Sequence, residues 1–268
     1  KMENVLKKII VKKKDNLKNI KKKFPINVLL NEIKQNKNYT NFISSIKKRT
    51  LEKKISIIAE IKQASPSAGI LVKNFNHLDI AKTYIENGAT CLSVLTEENF
   101  FLGKHDFIKT IKNFYSIPIL CKDFFIDPYQ VALAKYYNAD CILIILSAID
   151  KHLAKDIYET ALDLNISALV EVHTEKEAEF ALNFKESIIG INNRNLKTLE
   201  TSLNTSVVLS KILDCHKNPL ICESGIHSNE ELKFIVEKTK IYNFLIGESL
   251  LMQSDIGSKL KEFTQISL

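Results

Sequence analysis

The sequence predicts an α/β fold, a (β/α)8 TIM barrel with an N-terminal helical extension, and three observations predict it. Eight short runs rich in Ile, Val and Leu recur at 55–61, 91–95, 117–121, 141–146, 168–172, 188–191, 220–222 and 244–246. Most are continuously apolar rather than alternating, as strands buried on both faces are. Segments of helical periodicity separate them, and strand then helix, eight times over, implies parallel pairing through helical crossovers. The third observation is length: 268 residues suit one such barrel, which takes about 250. A doubly wound open sheet shares the alternation and is the alternative architecture.

The elements follow in order. Residues 1–50 form a basic helical extension, broken at Phe24-Pro25, with a second helical segment predicted over 26–48. After the first apolar run, Leu78, Ile80, Ala81, Tyr84 and Ile85 recur at helical spacing until Gly88 ends the pattern. Asp127-Pro128 reads as an N-cap followed by proline at the first helical position. Thr174 with Glu177, and Ser228 with Glu231, read as capping boxes. No internal repeat or linker divides the chain, so residues 1–268 read as a single domain.

The formal charge of +7 invites a nucleic-acid reading, but its location argues against one. The first 23 residues hold ten lysines against Glu3 and Asp15, leaving 28 basic and 29 acidic side chains elsewhere. A solvated amphipathic helix, covering the barrel without joining its site, accounts for this. A basic arm that binds polyanions or steers an anionic substrate is the alternative. A nucleic-acid-binding protein would spread its lysines over a face and interleave aromatic rings, whereas this segment is followed by a single phenylalanine, Phe24, and holds no aromatic ring itself. No nucleic-acid partner is therefore expected. No apolar run reaches the roughly 18 residues of a membrane span, and no apolar signal region opens the chain. The five cysteines are widely spaced, lack a C-x-x-C pair and show no zinc spacing, which implies a reducing cytoplasm and no metal site.

Barrel enzymes build their sites at the C-terminal ends of the strands. Here the runs end in Glu60 and Lys62, Thr96-Glu97, Lys122, Ser147, Glu171, Asn192 with Arg194, Glu223-Ser224, and Gly247-Glu248. A purely structural barrel has no need of so many ionisable ends. The chain has only seven glycines, and two of them, Gly225 and Gly247, follow the last two runs. There, glycine lets backbone N–H groups approach phosphate oxygens. The stretch from Ser65 to Gly69 adds hydroxyls near Lys62, so an anionic phosphate ester is the expected ligand.

Several segments resemble the indole-3-glycerol phosphate synthase family. They are Ile-Ala-Glu-Ile-Lys-Gln-Ala-Ser-Pro-Ser at 58–67, Leu-Ser-Val-Leu-Thr at 92–96, Pro-Ile-Leu-Cys-Lys-Asp-Phe at 118–124 and Leu-Val-Glu-Val-His at 169–173. Gly-Ile-Asn-Asn-Arg-Asn-Leu at 190–196, Glu-Ser-Gly-Ile at 223–226 and Leu-Ile-Gly-Glu-Ser-Leu at 245–250 continue the series in order and spacing. Two positions depart from the family pattern: Lys104-His105 after Gly103, and Asn138 where glycine is usual.

The resemblance implies ring closure, decarboxylation and dehydration of 1-(2-carboxyphenylamino)-1-deoxyribulose 5-phosphate, a carboxy-lyase step of tryptophan biosynthesis. It implies no metal or redox cofactor and names no pathway-enzyme partner. Lys122 becomes the general acid, its pKa expected to be lowered among other cations. Glu171 becomes the acid/base of dehydration, with Glu60 stabilising positive charge on the anilino nitrogen or sharing proton transfer. Lys62 would pair with substrate carboxylate or phosphate. Asn192, Arg194 and Glu223 would orient and hydrogen-bond, while Ser65, Ser224, Gly225, Gly247 and Glu248 would hold substrate and phosphate. His173 reads as structural or helix-capping, and Cys121 as core. Phosphoribosylanthranilate isomerase, another phosphate-binding barrel, would need a cysteine where Glu60 and Lys62 stand.

Overall fold

The computed structural model describes residues 2–35, 40–195, 198 and 200–268; residues 36–39 of the second helical segment and Leu196 of the Asn-Arg motif lie outside them. Eight parallel strands, β1 (Ser56–Ile61), β2 (Cys91–Leu95), β3 (Ile119–Lys122), β4 (Cys141–Ile145), β5 (Ser167–Val172), β6 (Ile188–Asn192), β7 (Leu220–Glu223) and β8 (Asn243–Ile246), pair in chain order. β8 returns to β1, with Ser56 opposite Asn243, so the barrel closes and the open sheet is excluded. Every residue of β1, β2, β4, β5 and β8 is buried, which is why these runs are continuously apolar.

The helices are α1 (Met2–Lys23), α2 (Ile26–Gln35), α3 (Phe42–Leu51), α4 (His77–Glu86), α5 (His105–Phe114), α6 (Tyr129–Tyr136), α7 (Lys151–Asp163), α8 (Glu175–Ala181), α9 (Asn204–Ile212), α10 (Asn229–Thr239), α11 (Glu248–Leu251) and α12 (Ile256–Thr264). The start signals work as expected. Ser228 and Glu231 form a reciprocal capping box on α10. Asp127 accepts from the Tyr129 N–H at 2.9 Å before α6. At α8, Thr174 accepts from the Glu177 N–H, but the Glu177 carboxylate reaches back to the His173 N–H at 2.6 Å. The cap therefore ties α8 to the end of β5.

Three features differ from expectation. The segment over 26–48 is two helices, because Asn41 caps a new start by accepting from the Ser44 N–H at 2.9 Å. A small antiparallel hairpin, Ala64–Ser65 with Gly69–Ile70, follows β1 and turns through Gly69 at φ +67. Asn138 adopts φ +70 after α6, a conformation asparagine tolerates better than most residues, so the departure from glycine is accommodated.

α1 crosses the barrel top with one buried stripe, Ile9, Lys13 and Leu17, spaced by four. The Lys13 ammonium pairs with Asp123 at 2.7 Å, both side chains almost fully buried. The other end of the helix is held by Lys21 and Asp127, 2.5 Å apart.

Candidate active site

Glu60 is buried at the end of β1, and two cations converge on it. Lys62 lies 2.9 Å from its Oε1 and Lys122, from β3, lies 3.0 Å from its Oε2. The Ser93 hydroxyl of β2 donates to the same Oε2 at 3.2 Å, and Tyr84 donates to the Glu60 backbone carbonyl at 3.1 Å. Burial alone would raise the carboxyl pKa, but the Lys122 and Lys62 ammonium groups outweigh it and hold Glu60 at about 2. The expectation for Lys122 is corrected. Burial does act to lower its pKa, yet Glu60, Glu171 and Glu223 surround it and push it above the ordinary lysine value. Its neighbours are carboxylates more than cations.

Across the mouth, Glu171 of β5 and Glu223 of β7 are both buried. Asn192 of β6 stands between their strands and donates through Nδ2 to Glu171 Oε1 at 3.1 Å. Burial and the neighbouring Glu171 carboxylate raise the Glu223 pKa well above its ordinary value, which favours its protonated form. Glu223 Oε1 packs over Gly190, where an added Cβ would stand only 1.9 Å away. A glycine inside β6 is what leaves room for the second carboxylate.

The remaining predicted residues ring the mouth. Asn192 Oδ1 accepts from the Arg194 N–H at 3.0 Å and from the Ser224 hydroxyl at 2.9 Å, fixing the ends of β6 and β7 together. Ser224 holds φ +67 and is followed by Gly225 at φ +86. The Arg194 guanidinium lies 3.5 Å from Glu248 at the start of α11. The Ser65 hydroxyl accepts from the Ala68 N–H at 3.1 Å, closing the turn of the small hairpin. One cavity is lined by Glu60, Lys62, Ser65, Lys122, Glu171, Asn192, Arg194, Glu223, Ser224, Gly225, Gly247 and Glu248 together. Thr96, Glu97 and Ser147, also at strand ends, do not line it. Thr96 donates to Asp123 at 2.6 Å, and Glu97 accepts from the N–H groups of Asn99, Phe100 and Phe101. Burial pushes the Cys121 thiol up to about 12, so it packs as core.

The family description Indole-3-glycerol phosphate synthase matches residues 6–263. Indole-3-glycerol phosphate synthase from Bordetella pertussis is 38% identical over 259 residues, spanning 97% of this chain and 98% of that one. The Legionella pneumophila (strain Lens) protein of the same name is 40% identical over 261 residues, with the same two coverages. The chain belongs to the indole-3-glycerol phosphate synthase family. A Buchnera aphidicola (Schizaphis graminum) protein named tryptophan biosynthesis protein TrpCF is 41% identical, the match covering 97% of this chain and 55% of that longer one. Among solved structures, the tryptophan synthase alpha chain of Legionella pneumophila superposes at TM-score 0.63 with 11% identity, covering 84% of this chain and 97% of that one. Phosphoribosylanthranilate isomerase from Thermotoga maritima gives 0.56 at 13%, covering 78% and 96%. These two likenesses show the fold alone.

For this member of the indole-3-glycerol phosphate synthase family, the structure adds residues the sequence reading missed. Val5, Leu6 and Ile9 of α1 line the same cavity, so the basic segment is also part of the site wall. This corrects the reading of α1 as a cover outside the site. Its exposed lysines announced a solvated helix, but the opposite apolar stripe carried no signal of where it would dock. Ser93 was visible as a lone hydroxyl inside an apolar run, and Gly190 as a glycine inside a strand. Asp123 stands within the Lys-Asp-Phe motif, and its buried partner Lys13 lies 110 residues earlier.

Proposed function

We propose that the chain converts 1-(2-carboxyphenylamino)-1-deoxyribulose 5-phosphate to indole-3-glycerol phosphate, carbon dioxide and water. One observation carries this reading within the family: Lys122, held in its charged form, lies among the carboxyl groups of Glu60, Glu171 and Glu223 in a single cavity at the strand ends. Ring closure needs a donor at the ketone oxygen, and dehydration needs a group that takes and returns a proton.

Lys122 donates to the ketone oxygen as the carboxylate-bearing aromatic carbon attacks. Its raised pKa keeps the ammonium form populated, so it serves first as a charged hydrogen-bond donor and releases its proton only to a strongly basic oxyanion. Carbon dioxide then leaves, and Glu171 handles the proton movements of water loss while Asn192 orients it. Glu60 faces the developing positive charge on the anilino nitrogen. Lys62 turns from Glu60 towards the substrate carboxylate or phosphate. Backbone N–H groups at Gly225 and Gly247, with Ser224 and Ser65, anchor phosphate. Arg194, Glu223 and Glu248 orient the remaining groups. The isomerase alternative lacks its cysteine at the end of β1, where Glu60 and Lys62 stand.

Residues 1–268 act as one functional unit in the cytoplasm, with a small-molecule partner. Among the described residues, no helix is long and apolar enough to cross a membrane. Incubating the chain with the anilide substrate, with and without chelator, should produce indole fluorescence in both samples. A folded chain that yields no indole product overturns the assignment. Loss with chelator and recovery with a divalent ion would overturn the metal-free part.

A further inference from the structure

His173 follows β5, two residues beyond Glu171, and so projects to the same side of the strand. Its Nε2 lies 3.3 Å from Glu171 Oε1 and its Nδ1 lies 3.6 Å from Glu177 Oε2 on α8. The ring is 9% exposed and does not line the cavity, whereas Glu171 does. Neither ring nitrogen makes an aligned hydrogen bond, so these are contacts between charges. The capping role expected of this residue uses only its backbone N–H, which donates to Glu177. Any residue other than proline would serve that purpose. The imidazole is left to be explained.

Glu171 and Glu223 are both buried, and the Glu171 carboxylate helps raise the Glu223 pKa, yet their surroundings are unequal. Glu171 receives the Asn192 amide from β6 and faces the His173 ring, with Lys122 of β3 also within electrostatic reach. Glu223 Oε1 has no hydrogen-bond donor and lies against Gly190. We propose that His173 is a positioning residue for the reaction: as an imidazolium, it holds the negative charge of the pair on Glu171 and a proton on Glu223. This rests on the reading of Glu171 as the acid/base group. Burial would discharge the ring, but Glu177 and Glu171 outweigh it and raise its pKa above the ordinary histidine value. The charged form of the ring is therefore favoured over that of an ordinary histidine. Glu177 lies against the far side of the ring, and its own pKa is lowered, because the nearby His173 ring and the His173 backbone N–H outweigh its burial.

The test titrates the His173 ring by nuclear magnetic resonance in the full chain, its signal assigned from its disappearance in His173→Gln. In Glu171→Gln the midpoint should fall by about one unit or more, the usual effect of losing an opposite charge at this distance. An unchanged midpoint overturns the proposal, whatever the activity of that variant. Kinetics give an independent reading. His173→Gln should lower kcat about tenfold below neutrality, one pKa unit's worth, and move the acidic limb of kcat to higher pH. KM should barely change, and His173→Lys should restore the limb. A purely structural ring would lower the melting temperature and leave the limb in place, and a kcat profile superimposable on the parent's also overturns the proposal. Full turnover by Glu171→Gln would instead remove Glu171 from the chemistry, a separate failure that leaves the measured coupling standing.

Discussion

Lys122→Met is expected to turn over at least about 100-fold more slowly than the parent, with a much smaller change in KM. Methionine keeps most of the apolar stem and removes the ammonium that the three carboxylates hold in its charged form. The interaction lost is strongest when the ketone oxygen gains charge, so the deficit belongs to the transition state. The fold should survive. Breaking a buried pair by removing one partner can cost about 3–5 kcal/mol, but Glu60 keeps Lys62 at 2.9 Å and the Ser93 hydroxyl at 3.2 Å. Steady-state kinetics beside a melting curve decides the matter. Turnover near the parent rate would remove Lys122 from its proposed role even though family membership stands.

Gly247→Val should damage both kinetic constants, with KM raised and kcat lowered by about tenfold or more. From the sequence, this position predicts a phosphate contact alone, and hence a rise in KM first. The structure places a second demand there. A Cβ at 247 would lie 3.0 Å from the Glu60 Cβ and 2.9 Å from its Oε1. Valine therefore presses Glu60 away from the two lysines it holds. A Cβ at Gly225 instead meets Thr201 at 2.8 Å and Leu203 at 3.0 Å, and not Glu60. Gly225→Ala thus serves as the comparison, raising KM while leaving kcat closer to the parent. If Gly247→Val changed KM only, the contact with Glu60 would have no catalytic weight.

The barrel was legible because closure demands strands buried on both faces, and continuous Ile, Val and Leu runs such as the one at 141–145 have few other uses. The ionisable strand ends were legible for a related reason: Glu60, Lys122 and Glu171 interrupt or finish apolar runs where a structural barrel would not place them. What the sequence did not disclose depends on contacts between distant segments. Lys13 is one of ten similar lysines in the first 23 residues, and nothing local marks it as the one that reaches Asp123. The sign of the Lys122 shift was missed for the same reason. The expectation set Lys122 among other cations of the mouth, while the closed barrel brings Glu171 and Glu223 across from other strands.

The charges of the cavity wall have a consequence for how ligand and protons are exchanged together. Lys62, Lys122 and Arg194 face Glu60, Glu171, Glu223 and Glu248, while Asp123 is met by Lys13 behind the wall; with Glu223 protonated, the remaining charges balance at three against three. A phosphate ester that also carries one carboxylate brings about three more negative charges, since the second phosphate pKa is about 6. The wall has no spare cation to meet them. Complex formation should therefore draw protons from solution, and affinity should weaken as pH rises above neutrality. Calorimetry in buffers of different ionisation heat measures that uptake directly. A binding heat independent of the buffer would mean that Lys62 and Arg194, released by Glu60 and Glu248, neutralise the ligand unaided.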